Sequence, residues 1–139
     1  MPVEDLARSD VVTADLETPV SELAASMDQE NVGSVVITDG AESVGIVTDR
    51  DLAVRVLAAG VDPGSQRAED VMTDELHTID RNTGFYQAAT TMAKHGIRRL
   101  PVRDGDDLVG IVTADDLNEL LADEHQHFAE VIRAQRPEY

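Results

Sequence analysis

The sequence predicts an α/β protein in which two β-α-β-β-α repeats pack against each other as a pseudo-two-fold pair. Three observations carry this prediction: an internal duplication, a regular alternation of strand and helix patterns within each copy, and an aliphatic composition. Apolar residues make up 42% of the 139 residues and aromatic residues only 3%. Small isolated units bury too little surface to be stable alone. We therefore expect the two copies to share one joint core of Val, Leu, Ile, Ala and Met.

The duplication appears when the sequence is compared with itself at an offset of 65 residues, which aligns residues 4–52 with residues 69–117 without gaps. Its longest identical block is Val-Gly-Ile-Val-Thr, at residues 44–48 and again at residues 109–113. An Asp-Leu pair follows each block, at Asp51 and at Asp116. Internal repeats of this kind indicate paired structural units and have to be recognised before the fold is assigned.

Each copy begins with a short strand and a helix. The first helix is predicted to start with Thr18 as N-cap and Pro19 in its first turn, because both residues favour these positions. Apolar residues follow at helical spacing, at Val20, Leu23, Ala24 and Met27. The equivalent helix of the second copy starts near Thr83, and Gly96 is a natural end for it.

Two strands and a second helix complete each copy. The pairs Asp39-Gly40 and Asp104-Gly105 predict the turns of β-hairpins, and a helix is expected after each returning strand, from Asp51 and from Asp116. The predicted organisation is repeat 1 over residues 1–60, a linker at 61–68, repeat 2 over 69–123, and a helical tail at 124–139. The second helix of repeat 2 is expected to end near Ala122, with the tail as a capping helix or a partner surface.

The charge balance excludes some classes of function. The net charge is −17, from 28 acidic and 11 basic residues, and Lys94 is the single lysine. Such a chain repels duplex nucleic acid, and its composition suits concentrated salt, which screens self-repulsion. The alternative is an ordinary acidic protein. There is no cysteine, no apolar run near the roughly 20 residues that span a bilayer, and no signal-peptide pattern, so we expect a cytoplasmic protein without a membrane partner.

The candidate chemistry lies where the returning strand of each copy ends. A threonine there is followed, three residues later, by an aspartate at the start of a helix: Thr48 and Asp51 in repeat 1, Thr113 and Asp116 in repeat 2. An aspartate can accept two hydrogen bonds from a ribose diol, and a threonine hydroxyl beside helix N-terminal amides suits a phosphate. The same residues can serve only as helix caps. Both interpretations stay open at this point.

These motifs resemble the cystathionine-β-synthase (CBS) domain in a stand-alone tandem pair. The resemblance rests on Val-Gly-Ile-Val-Thr-x-x-Asp-Leu, on the strand Ile97-Arg98-Arg99-Leu100-Pro101-Val102 and on Glu69-Asp70-Val71-Met72-Thr73. The segments Thr48–Asp51 and Leu57–Pro63 are also similar to small CBS proteins of the mycobacterial hypoxic-response type.

The resemblance implies a regulatory module, not an enzyme, that requires no cofactor. It implies binding of an adenine nucleotide (AMP, ADP or ATP) or S-adenosylmethionine, an unidentified regulated protein, and a homodimer.

The resemblance also implies roles for individual residues. Asp51 and Asp116 would hold ribose hydroxyls, with Thr48 and Thr113 beside them. The adenine would lie in an apolar slot near Ala7 and Val12 in one half, or near Met72 and His77 in the other. The phosphates would face Arg98 and Arg99, with Arg50 nearby. Since the residues equivalent to Arg98 and Arg99 in repeat 1 are the uncharged Gly33 and Ser34, we expect the site on Thr48 and Asp51 to be the stronger one.

Several alternatives remain at the level of sequence. Arg98 and Arg99 can instead pair with surface carboxylates. His125 and His127 are two residues apart, do not share a helix face, and with Glu124 would form a poor metal site, so no metal is expected. No catalytic triad, metalloprotease motif or Gly-rich phosphate loop occurs. The main alternative function is a constitutive protein-interaction module whose ligand cleft is vestigial.

Overall fold

The framework of the protein consists of two three-stranded sheets, one from each repeat. The structure is a computed structural model and describes residues 1–136. The first sheet contains β1 (Thr13–Asp15), β2 (Ser34–Asp39) and β3 (Glu42–Thr48), and the second contains β4 (Ile79–Asp80), β5 (Arg99–Asp104) and β6 (Asp107–Thr113). The strand orders β1-β2-β3 and β4-β5-β6 are the same in the two repeats. The predicted α/β fold class is confirmed.

The central strand of each sheet is parallel to the strand before it and antiparallel to the strand after it. Both predicted hairpin turns form, and Gly40 and Gly105 adopt φ of 62° in them, a conformation that side chains with a Cβ disfavour. The register shifts once in each hairpin, between Ile37 and Thr38 and between Val102 and Arg103. The 65-residue offset in sequence is therefore reproduced in the backbone.

The α-helices are α1 (Val20–Glu30), α2 (Asp49–Leu52), α3 (Ala68–Val71), α4 (Phe85–His95) and α5 (Ala114–Gln135). A π-helical turn at Ala53–Ala58 continues α2. The prediction that Thr18 caps α1 is wrong, since the helix starts after Pro19. The hydroxyl of Thr18 instead donates a hydrogen bond to Oδ1 of Asp15.

The second helix of repeat 2 does not end near Ala122 but continues into the predicted tail as α5, as far as Gln135. Pro137 to Tyr139 lie outside the described residues. Beyond Ala122, every side chain of α5 except the half-buried Ala129 is exposed. Among residues 1–136, no helix is both long and apolar enough to cross a membrane.

The segment that leads into each repeat packs on the sheet of the other repeat. We call residues 2–8 and 67–73 the leading segments. Val3 lies in the hydrophobic cluster of the second sheet, and its N–H donates to the carbonyl of Thr83 at 2.7 Å. Ala68 and Val71 lie in the cluster of the first sheet. The first leading segment pairs with β6 through Arg8 and Ile111, and the second pairs with β3 through Thr73 and Ile46.

This exchange corrects the expectation of one joint core. The buried apolar residues form two clusters, one on each sheet, and each cluster contains residues from the leading segment of the opposite repeat. Each sheet completes its core with a segment that is distant in sequence. Neither repeat is therefore a self-contained packing unit, although each has its own cluster.

Candidate ligand site

A cavity of about 490 Å³ lies where the two repeats meet. Its wall comes from the end of β3 and the start of α2, from the residues that follow the second leading segment, and from the start of β5. The lining residues are Ile46, Thr48, Asp49, Arg50, Asp51, Thr73, Glu75, Leu76, His77, Gly96, Ile97, Arg98, Arg99 and Pro101. This volume lies in the range that holds small organic ligands.

Six of the eleven predicted site residues share this wall: Thr48, Arg50, Asp51, His77, Arg98 and Arg99. The other residues of the wall were not predicted from the sequence, and they include the apolar side chains Ile46, Leu76, Ile97 and Pro101. Ile46 alternates with the buried Val47 along β3, so strand periodicity alone indicates that it faces away from the first core. The contribution of Thr73 and Leu76 depends on the exchanged leading segment, which no local pattern reveals.

Thr48 and Asp51 form a reciprocal cap at the start of α2. The hydroxyl oxygen of Thr48 accepts from the N–H of Asp51 at 3.1 Å, and Oδ2 of Asp51 accepts from the N–H of Thr48 at 2.9 Å. Thr48 and Asp51 therefore do form a helix cap, but this cap uses only one oxygen of the Asp51 carboxylate. Oδ1 of Asp51 lies 3.8 Å from Nη2 of Arg55, which is not part of the cavity wall. The cap itself uses neither Oδ1 nor the proton of the Thr48 hydroxyl.

The arginines at the start of β5 differ in their contacts. Nη2 of Arg98 lies 2.9 Å from Oδ1 of Asp115, so the expected alternative of pairing with a surface carboxylate holds for this residue. Arg99 extends toward the facing repeat, where its guanidinium lies against Gly33. A Cβ at position 33 would collide with that guanidinium and would lie 3.3 Å from Oδ2 of Asp49. Glycine at position 33 thus makes room for the Arg99 side chain at the cavity.

The position of His77 follows from a proline in the neighbouring strand. In the first repeat, the N–H of Val36 donates to the carbonyl of Val12 at 2.9 Å. The residue equivalent to Val36 is Pro101, which has no N–H to donate. The equivalent bond to His77 therefore cannot form, and β4 begins only at Ile79. His77 lines the cavity, and its ring stacks on that of His95 with centroids 3.6 Å apart.

The cavity wall is electrically neutral in a strongly acidic chain. It contains three carboxylates, Asp49, Asp51 and Glu75, and three arginines, Arg50, Arg98 and Arg99, whereas the whole chain has a net charge of −17. A concentration of arginine at one cleft lowers the local repulsion of an anion.

The other predicted site residues lie elsewhere. Met72 packs on the first core, with its sulfur against Gly45, and does not line the cavity. Ala7 and Val12, which are equivalent to Met72 and His77, pack on the second and first clusters. Thr113 and Asp116 form the same reciprocal cap as Thr48 and Asp51, at the start of α5. We call the place around them, which is equivalent by the 65-residue offset to the place around Thr48 and Asp51, the second cleft.

The histidines of the tail make few contacts. Nδ1 of His127 lies 3.8 Å from Oε1 of Glu124 on the same helix. Within residues 1–136, no three His, Asp or Glu side chains converge as a potential metal site.

The fold and the cleft together define a tandem-repeat α/β protein with a cavity at the junction of its repeats. The sequence pattern of the CBS domain matches residues 3–58 and 68–123. The chain therefore belongs to the CBS domain family, and the resemblance noted from its motifs is confirmed.

The relatives of the chain include short CBS proteins. It is 38% identical over 115 residues to the CBS domain-containing protein YhcV of Bacillus subtilis, covering 83% of this chain and 81% of that protein. It is 30% identical over 114 residues to hypoxic response protein 1 of Mycobacterium tuberculosis, covering 81% and 80%. An uncharacterized Methanopyrus kandleri protein, MK0525, is 38% identical over 117 residues, but the chain spans only 60% of its length.

One of the similar solved structures contains adenosine ligands. The CBS domain pair of protein MJ0100 was crystallised with 5′-methylthioadenosine and S-adenosyl-L-methionine. It has a TM-score of 0.82 and 28% identity to this chain, with 89% of this chain and 98% of that one covered.

Proposed function

We propose that this protein is a regulatory module that binds an adenosine-containing ligand in the cavity between its repeats and thereby changes the behaviour of a protein partner. The observation that carries the proposal is the neutral, arginine-bearing cavity with Asp51 at its edge, one oxygen of which takes no part in the helix cap. The adenosine ligands of the MJ0100 pair support the ligand class. We place this function in the cytoplasm and assign no catalytic step to it.

The proposed roles follow the chemistry of the wall. Oδ1 of Asp51 accepts from a ribose hydroxyl, and Thr48 contributes its hydroxyl beside it. Ile46, Leu76 and Ile97 offer apolar surface to the adenine, with His77 at its edge. Arg99 and Arg50 face the phosphates, and Arg98 joins them when it leaves Asp115. AMP, ADP, ATP and S-adenosylmethionine all share the adenosine that these residues would recognise.

Regulation requires that the ligand prefer one arrangement of the protein. A ligand shifts an equilibrium only by its differential affinity for two states. The cavity is formed by both repeats, so a ligand that fills it favours the arrangement in which the repeats close on it. We propose that this arrangement is read by a partner protein, and that the chain works as a homodimer.

Calorimetric titration and thermal unfolding with AMP, ATP, S-adenosylmethionine and adenosine test the proposal. Ligand binding to the folded state raises the melting temperature. Arg99→Gln is expected to weaken the binding of AMP and ATP by at least about tenfold, because charged hydrogen bonds contribute about 1.5–3 kcal/mol each. The affinity for adenosine, which has no phosphate, should stay unchanged. Arg133→Gln, the same charge change on the exposed part of α5, is the control. Equal losses in the two variants would contradict the assignment.

The second candidate function is a constitutive interaction module with a vestigial cleft. It is favoured by the exposed apolar side chains of α5, since Phe128, Val131 and Ile132 are 54–65% exposed. Exposed apolar clusters of this kind mark interaction surfaces. Thermal unfolding distinguishes the two functions. If no adenosine ligand changes the melting temperature at low or high salt, the interaction module is supported and the ligand-sensing function is refuted.

A further inference from the structure

One difference between the second cleft and the cavity lies at the last residue of the exchanged leading segment. In the cavity, Thr73 pairs with Ile46 of β3, with N···O distances of 2.9 and 3.1 Å. The equivalent residue in the second cleft is Arg8, which pairs with Ile111 of β6 at 2.9 and 3.0 Å. The backbones are thus held alike, but a long cation replaces a short hydroxyl at the same position.

The guanidinium of Arg8 reaches the carboxylate that the second cleft would offer to a ligand. Its Nη2 lies 3.4 Å from Oδ1 of Asp116, whose side chain is only 12% exposed. Oδ2 of Asp116 already accepts from the N–H of Thr113 at 3.0 Å. Both oxygens of this carboxylate therefore face donors from the protein itself.

The corresponding contact in the cavity is longer and comes from a different element. Thr73 carries no cationic group, and Nη2 of Arg55 lies 3.8 Å from Oδ1 of Asp51, beyond hydrogen-bond distance. Arg55 extends from the π-helical turn, donates to the carbonyl of Val71 at 2.8 Å and is not part of the cavity wall. The residue equivalent to Arg55 in repeat 2 is the apolar Leu120. Asp116 thus accepts a hydrogen bond from Arg8, whereas Asp51 has only a longer ion pair with Arg55.

The second cleft also lacks the cations that suit a phosphate. Gly33 and Ser34 stand where the cavity has Arg98 and Arg99, and Asp115 stands where it has Arg50. Asp115 in turn pairs with Arg98 at 2.9 Å. These three positions therefore offer no cation to an anionic ligand in the second cleft, and Arg8 is already engaged with Asp116.

We infer that Arg8 closes the second cleft to nucleosides and nucleotides, so that each chain binds a single adenosine ligand in the cavity. The guanidinium takes the carboxylate oxygen that a ribose hydroxyl would need. This inference rests on the proposed function of the cavity and deepens it, because it assigns the number of ligands per chain to one side chain.

The substitution Arg8→Thr tests the inference, since threonine is the residue that the chain itself has in the cavity. Adenosine is the probe, because its lack of charge removes the effect of the missing arginines. Calorimetry is expected to give one adenosine per chain for the wild type, two for Arg8→Thr, and one again for the double variant Arg8→Thr/Asp116→Ala. The melting temperature of Arg8→Thr should change little, because the Arg8 side chain is 61% exposed and exposed ion pairs contribute little to stability.

Arg81→Thr is the matched control. It removes another exposed arginine of an ion pair, with Nη1 3.2 Å from Oδ2 of Asp104, and should leave the stoichiometry at one. Two ligands in the wild type, one in Arg8→Thr, or weaker binding in Arg8→Thr would each overturn the inference. Absence of adenosine binding in both wild type and Arg8→Thr would instead refute the proposed function, and the inference with it.

Discussion

The strongest test of the ligand site uses the two caps as a matched pair. Asp51 and Asp116 make the same two cap hydrogen bonds, with N···O distances of 2.9 and 3.1 Å at Asp51 and of 3.0 and 3.1 Å at Asp116. Their side chains are 15% and 12% exposed. Replacing either aspartate by alanine therefore removes the same structural element, while only Asp51 borders the cavity.

The expected magnitudes differ for stability and for binding. Loss of a cap contact costs about 1 kcal/mol, which for a domain of this size lowers the melting temperature by about 4 °C. Both variants should show this loss. Asp51→Ala should in addition lose a charge-assisted hydrogen bond to the ribose, about 1.5–3 kcal/mol. Its dissociation constant for adenosine should therefore rise by about ten- to a hundredfold.

Urea unfolding and calorimetric titration with adenosine measure these two quantities on the same samples. The reasoning fails if Asp116→Ala loses as much adenosine affinity as Asp51→Ala, because the cavity would then not be the site. It also fails if Asp51→Ala is destabilised but binds normally, since Asp51 would then serve as a cap only.

Other changes probe the surroundings of the site. Gly33→Ala should displace Arg99 and weaken AMP binding about tenfold in calorimetric titration, with little loss of stability. Its control is Gly84→Ala, because an added Cβ at Gly84 meets nothing within 4 Å. Gly45→Ala should lower the free energy of unfolding by about 1–3 kcal/mol, because its Cβ would lie 2.9 Å from the backbone of the second leading segment; unchanged urea unfolding would contradict that contact. Deleting residues 124–139 should leave the melting temperature within about 2 °C, because exposed surface contributes little. Raising NaCl to about 3 M should raise the melting temperature of the wild type, because salt screens the repulsion within its net charge. A lower melting temperature would refute the hypothesis that the composition is adapted to concentrated salt.

Features that repeat within the sequence were predictable. The 65-residue offset and the Asp-Gly pairs predicted both hairpins, and the Thr-x-x-Asp spacing identified the reciprocal caps that now border the cavity and the second cleft. These features depend on a few neighbouring residues, so local chemistry determines them. The family resemblance added the arginines at the start of β5.

Features that depend on distant packing were not predictable. The exchange of leading segments brings Thr73 to β3 and Arg8 to β6, and no pattern within either segment indicates its partner sheet. The continuity of α5 was missed because residues beyond Ala122 have only weak apolar periodicity. The start of α1 was misplaced because Thr18 uses its hydroxyl on Asp15, a competing local contact that its cap preference does not reveal.

The exchange of leading segments has a consequence for how such a protein can arise and diversify. A chain with one repeat would need a second copy to supply the missing segment, so its folding would depend on concentration. Joining two repeats in one chain turns that encounter into an intramolecular step at a high effective concentration. Once two repeats are joined in one chain, they no longer need to have the same sequence. An arginine or a threonine can then be substituted in one repeat alone, so that a symmetrical pair can evolve two unlike halves.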